Sequence, residues 1–169
     1  MPLWHQVSAE NVDVDGTKFS VQSRPFRFQI PKGAVLYNGL SEYKSITVQV
    51  SDAFSTWWHD TVEGLVPGLT PWNSNIRNNS LRIKVDKSTQ IFNSKKEIQF
   101  PELKEGLFAN CTVQCIVEVI GTYFFQGSYG LTCRAHQILV LDESESEEEE
   151  TLRGFSFVLP DASAPPSQE

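Results

Sequence analysis

The chain has 169 residues, one domain's worth with a remainder, and it is 40% hydrophobic and 11% aromatic, enough for a packed core. Its opening "MPLWHQVSAENVDVD" lacks the basic start and apolar run of a signal peptide, and no window reaches the length of a membrane span; an intracellular, non-secreted protein with no membrane partner is expected. The formal net charge of -7 is unevenly spread: nine of 21 acidic residues and one of 14 basic residues fall in 141–169, leaving 12 against 13 in residues 1–140, a body near +1. An acidic whole-chain pI therefore does not exclude a polyanionic partner for the body.

In chain order, most of the body alternates with period two, the mark of half-buried antiparallel strands. "RPFRFQI" sets Phe26, Phe28 and Ile30 on one face and Arg27 and Gln29 on the other. "SITVQV" sets Ile46, Val48 and Val50 inside. "SDAFSTWWHDTVEGL" predicts the one helix: Ser51 or Asp52 is the N-cap, the apolar residues are Phe54, Trp57, Trp58, Val62 and Leu65, and Gly64 lies near the end. At least one of the two tryptophans belongs in the core. "VPGLTPWNSNIRNN" reads as a long polar loop. "LRIKV" sets Leu81, Ile83 and Val85 inside and Arg82 and Lys84 outside. "NSKKEIQFPELKEG" reads as a second connection.

From Thr112 to Phe125 the odd positions are apolar: Val113, Cys115, Val117, Val119, Tyr123 and Phe125. Gly121 interrupts them and predicts a bulge or a bend of the kind that turns a barrel corner. "QGS" is a hairpin loop, and "YGLTCRAHQILVL" returns as the partner strand. Beyond Leu141, "DESESEEEE" repels itself and buries nothing, which predicts disorder; a short apolar island follows at 154–160. The expected architecture is all-β: a small OB-like (Greek-key) barrel over residues 1–140, with one short helix, and a disordered acidic tail over 141–169.

Few residues suggest catalysis or a cofactor. The three histidines, His5, His59 and His136, stand in no hydrolase or metalloprotease motif, and no Gly-rich phosphate loop occurs. The closest pair of body carboxylates, Asp13 and Asp15, falls in an expected turn. A non-enzymatic protein without a cofactor is expected. Cys111, Cys115, Cys133 and His136 could be drawn as a zinc set. However, Cys133 and His136 are an odd number of residues apart on one strand and so face opposite sides, while Cys111 and Cys115 share the core face with Val113. The expectation is three reduced thiols and no metal.

The outward cations are more suggestive. Arg27, Arg82, Lys84, Arg134 and His136 oppose the apolar sets of their strands, and Lys95 and Lys96 extend them from the second connection. Each alone fits an ordinary solvated face; together they suit a phosphate backbone. Tyr37 and Trp72 in loops, with Phe124 and Tyr129 at the hairpin, offer rings on which bases can stack. In the tail, Glu147, Glu148, Glu149 and Glu150 form a polyanion tethered beside that surface, able to compete with a weakly bound ligand. Phe155 and Phe157 would anchor a partner, and Ser144 and Ser146 stand in the acidic context that suits phosphorylation.

The run "VQCIVEVIGTYFFQGSYGLTCRAHQILVLD", the preceding "IFNSKKEIQFPELKEG" and the acidic tail together resemble single-stranded DNA-binding proteins of large DNA viruses and phages. There an apolar strand ends in Gly plus aromatics, a short turn follows, and an aromatic-Gly pair opens the return strand. The resemblance covers the hairpin and the tail architecture. It implies an OB fold, sequence-independent binding of single-stranded DNA in replication, recombination or repair, and a tail that regulates binding and recruits a polymerase or helicase. On the matching positions it assigns Tyr123, Phe124, Tyr129 and Arg134 to DNA. It also implies the host nucleus or cytoplasm as location. The acidic run here does not end the chain and the body is only weakly basic, so modest or cooperative binding is expected, and a homo-oligomer is allowed. Stacking and phosphate contacts serve RNA as well. Two readings of other classes compete: a β-sandwich with an acidic tract that binds basic proteins as histone chaperones do, and a non-enzymatic structural or interaction protein.

Overall fold

A computed structural model describes residues 1–141; the tail, with its expected disorder, phosphorylation and docking residues, lies outside the described residues. The strands are β1 (Asp13–Asp15), β2 (Lys18–Val21), β3 (Arg24–Pro25), β4 (Arg27–Gln29), β5 (Gly33–Leu36), β6 (Ser45–Gln49), β7 (Ile76–Arg77), β8 (Ser80–Lys84), β9 (Gln90–Phe92), β10 (Ile98–Gln99), β11 (Thr112–Phe125) and β12 (Ser128–Leu141). Pairing runs β11–β5–β6–β8–β12 and returns from β12 to β11, so the sheet closes on itself. The β8–β12 contact is parallel, at Arg134 and Lys84. A closed five-strand circuit with this Greek-key order is an OB-like barrel, as expected, and not the two-sheet sandwich that the chaperone reading required.

Alternation builds the barrel. Phe28, Ile46, Val48, Leu81, Ile83, Val113, Val117, Val119, Ala135 and Ile138 are buried, and the residues between them face out. The helix α1 (Asp52–Trp57) is capped by Ser51, whose Oγ accepts from Phe54 N at 3.1 Å. It runs into a wider turn over Trp58–Val62. Trp58 and Phe54 are fully buried and Trp57 is partly so. Burying one such ring stabilises the fold by roughly 2–3 kcal/mol.

β11 spans the whole length from Thr112 to Phe125, and the bend at Gly121 is real: register shifts between Val119 and Gly121. Here β2 crosses β11 closely. Thr122 N donates to Thr17 O at 2.9 Å, and a Cβ on Gly121 would lie 1.7 Å from that same carbonyl. A second shift leaves His136 unpaired on β12, which explains how Cys133, Ala135 and Ile138 can all face inward.

Several expectations are corrected. Phe125 is not core but 64% exposed, because the hairpin continues past the barrel beyond Gly121. Asp13 and Asp15 lie in a strand that flanks a turn. The two long connections are not wholly irregular: the first carries β7 and the second the β9–β10 hairpin. β12 includes Leu141, which pairs with Thr112, so the barrel ends one residue later than expected.

Candidate nucleic-acid interface

The hairpin tip is built by its turn. Gln126 and Gly127 both have positive φ, 50° and 81°, the geometry of a two-residue turn whose twist matches its strands. That turn sets Phe124 directly opposite Tyr129, with ring centroids 4.8 Å apart and planes at 58°. Phe124 is 62% exposed. Tyr123 occupies the other face beneath Gly130, where a Cβ would meet its phenol at 2.5 Å. The missing side chain at 130 makes room for the ring.

The first long loop is stitched to this tip. Tyr129 N donates to Pro71 O at 2.9 Å and Asn73 N donates to Tyr129 O at 2.7 Å, so Trp72 bridges Tyr129 like an added strand. Asn73 Nδ2 donates to Tyr123 Oη at 3.4 Å. The loop is tied to the helical turn by Glu63, whose Oε2 accepts from Trp58 Nε1 at 3.1 Å and Ser74 Oγ at 2.5 Å. Phe124 and Tyr129 thus form a ring pair braced by the backbone of the Trp72 loop, with Tyr123 on the opposite face of the hairpin. Trp72 Nε1 is buried with no hydrogen-bond partner.

At the other end of β8 lies a second aromatic pair. Tyr37 and Tyr43 are both exposed in the β5–β6 connection. Lys44 O accepts from Val85 N at 2.8 Å, which holds this connection at the exit of β8. At the entry, Arg82 N donates to Asn75 O at 2.9 Å, which holds the Trp72 loop. Arg82 and Lys84 therefore stand between two aromatic groups. Both are exposed, and neither makes an ion pair among the described residues.

Arg27 and Arg134 are placed differently. Glu118 on β11 lies between them, and its Oε1 accepts from Arg27 Nε and from Arg134 Nη1, each at 3.0 Å. Arg134 also reaches Asp86 Oδ2 at 3.4 Å and Ser88 Oγ, and is only 9% exposed. Burial raises the Asp86 carboxyl, but bonds from Ser88 and the Arg134 guanidinium outweigh it and hold the group below its ordinary range. His136 joins this cluster; burial and then Arg27 and Arg134 lower its pKa against the opposing pull of Glu118. The cluster balances two guanidiniums with two carboxylates. Lys95 and Lys96 occupy the exposed turn of the β9–β10 hairpin, beside the exit of β12 and apart from β8.

Three residues escaped the sequence reading. Tyr43 shares the loop of Tyr37 and could have been found by the same reasoning. Phe125 was hidden by the assumption of unbroken alternation, and Glu118 by the search for cations alone. Cys115 is fully buried, its thiol pushed up to about 12 by burial, and burial likewise raises Cys133; Cys111 is only partly buried.

Sequence comparison matches the chain to no protein-family model and to no curated protein. Solved structures do match its fold. The C-terminally truncated single-stranded DNA-binding protein from bacteriophage Enc34 aligns over 79% of this chain and 96% of its own, with a TM-score of 0.54 and 11% identity. The same Enc34 protein in complex with single-stranded DNA aligns over 76% of this chain and 92% of its own, at a TM-score of 0.51 and 10% identity. The chain thus shares the barrel architecture of phage single-stranded DNA-binding proteins.

Proposed function

We propose that the chain binds single-stranded DNA without sequence preference, along the outer face of β6 and β8 between the Tyr37–Tyr43 loop and the Phe124–Tyr129 pair braced by the Trp72 loop. One observation carries the reading: exposed rings at both ends of β8, with Arg82 and Lys84, which make no ion pair among the described residues, between them. Stacking is indifferent to base identity and cations follow phosphates, so this arrangement suits a single strand. In an OB barrel the second and third strands and their flanking loops form the oligonucleotide face. β6 and β8 are those strands here. The DNA-bound neighbour supports the same reading.

Arg27 and Arg134 act in this reading as braces for the face, since Glu118 and Asp86 already neutralise them. The acidic tail acts as an intramolecular competitor through Glu147–Glu150. Phosphates on Ser144 and Ser146 would strengthen that competition. Phe155 and Phe157 recruit replication partners once DNA displaces the tail.

Fluorescence anisotropy with labelled oligo-dT tests this. The full chain is expected to bind with affinity that falls steeply with salt, and a chain ending at Leu141 to bind more tightly. Phe124→Ala is expected to weaken binding about fivefold to 150-fold, from the roughly 1–3 kcal/mol of one stacked base. No binding by the shortened chain at low salt would sink the proposal. Equal affinity with and without 142–169 would remove the competitor role alone, and oligo-U bound as tightly as oligo-dT would widen the ligand to RNA.

A further inference from the structure

Among the described residues the sheet ends at β10, two strands beyond β12 and away from β8. Ile98 is 45% exposed on it and Phe100, just beyond, is 87% exposed. Sheet edges are normally blunted by charge or cover, and large apolar side chains on one are unusual. The backbone order sharpens this. Asn93 N donates to Glu97 O at 3.0 Å, and Gln99 pairs with Ile91, so positions 97 and 99 turn toward β9. The amides and carbonyls of Ile98 and Phe100 then turn outward; of these the Ile98 carbonyl also accepts from the side-chain Nε2 of its neighbour Gln99 at 3.0 Å, a bond that pairing has to share or displace. Pro101 falls in the β9-facing set, where its missing N–H does not interrupt the free edge.

The stretch is complementary to itself. If two copies lie antiparallel about Gln99, each Ile98 meets the Phe100 of the other copy, on the side where both offer hydrogen bonds. Lys96 and Glu102, three residues to either side of Gln99, then approach their opposites. An aromatic beside a β-branched residue and a pair of opposite charges are favourable cross-strand neighbours. A two-fold, self-complementary patch of this kind closes at two subunits. With Lys95 and Lys96 against Glu97 and Glu102, the stretch has no net charge to draw a polyanion, whereas its charges complement those of a second copy.

We infer that the chain dimerises through antiparallel pairing of β10 with β10 of a second copy, in the register that sets Gln99 opposite Gln99. The β6–β8 face stays open in such a dimer, so the inference stands apart from the DNA reading. Sedimentation equilibrium of the full chain over about 1–100 µM, the range of a small interface, should show a monomer–dimer equilibrium. Phe100→Asp, at an exposed position, should shift it to monomer with an unchanged circular dichroism spectrum. Gln99→Cys should give a disulfide-linked dimer under mild oxidation, because a non-hydrogen-bonded pair brings Cα atoms to about 4.5 Å, within disulfide reach. The unsubstituted chain controls for Cys111. Phe155→Ser with Phe157→Ser should leave the dimer intact. A monomer across the whole range, a dimer that survives Phe100→Asp, absence of the Gln99→Cys link, or loss of the dimer in the tail variant would each overturn the inference.

Discussion

Glu118 decides what two of the arginines can do. It accepts from both Arg27 and Arg134, and Asp86 takes a further bond from Arg134. Arg134, held by both carboxylates and nearly buried, has little left to offer a phosphate, and the half-buried Arg27 shares Glu118 with it, whereas Arg82 projects into solvent. Arg82→Ala is therefore expected to leave thermal stability within about 0.5 kcal/mol, as exposed substitutions do. It should lower the salt slope of oligo-dT binding by roughly 0.7. Arg134→Ala should show the reverse emphasis, a stability loss of about 1.5–3 kcal/mol from its charged hydrogen bonds. Urea denaturation beside salt-dependent anisotropy separates the two. Thiol chemistry gives a second check at this scale. With Cys115 and Cys133 buried and their pKa values raised, only Cys111 should react with iodoacetamide at pH 8 in the native chain, and all three in urea. Mass spectrometry reads the difference; rapid native labelling of Cys115 would contradict this packing.

Among the elements, the β11–β12 hairpin depends on two absent side chains. Gly121 lets β2 cross β11, and Gly130 leaves room for Tyr123. Gly121→Ala would drive a methyl into the Thr17 carbonyl, which belongs to the backbone and cannot swing aside. A loss of roughly 1–3 kcal/mol is expected, as for other overpacked positions, with faster hydrogen exchange at Thr122. An unchanged melting temperature would show that β2 yields. The bend at Gly121 was legible in the sequence because a lone Gly breaks an otherwise apolar strand. The consequence for Phe125 was not, because the hairpin runs past the barrel beyond the bend and exposes both Phe124 and Phe125, whatever their phase. The Trp72 loop was legible only as a loop. Its anchoring to Tyr129 and Glu63 joins segments dozens of residues apart, and nothing local encodes that.

For the molecule as a whole, the charge distribution matters more than the net charge. The Arg27–Glu118–Arg134–Asp86 cluster joins β4, β11, β12 and the turn after β8, so its titration reports on the assembled barrel. His136 has its pKa lowered from the ordinary 6.5 in the folded state, so the unfolded chain binds that proton more readily. Stability should fall as pH drops through about 6.5 and level off below the folded value. Asp86, lowered from 3.8, adds stability that is present above that value and lost as pH falls through its depressed folded pKa. Melting temperature measured from pH 8 to 5 should decline for the natural chain, and His136→Gln should flatten the decline. A flat profile in both would mean that His136 is as solvated folded as unfolded.

The sequence by itself determined the inside and outside of the central strands, the capped helix with at least one tryptophan in the core, the bend at Gly121 and the split between a neutral body and an acidic tail. Each follows from local periodicity, turn chemistry or composition, which neighbouring residues express without help from the rest of the chain. Only the tertiary structure decided that the sheet closes, that Glu118 takes up Arg27 and Arg134 while Arg82 and Lys84 make no ion pair among the described residues, and that the Trp72 loop is tied to Tyr129. Those depend on which strands lie side by side. Strand pairing sets distances between residues remote in sequence, and distance governs both the pairing of charges and the gathering of rings.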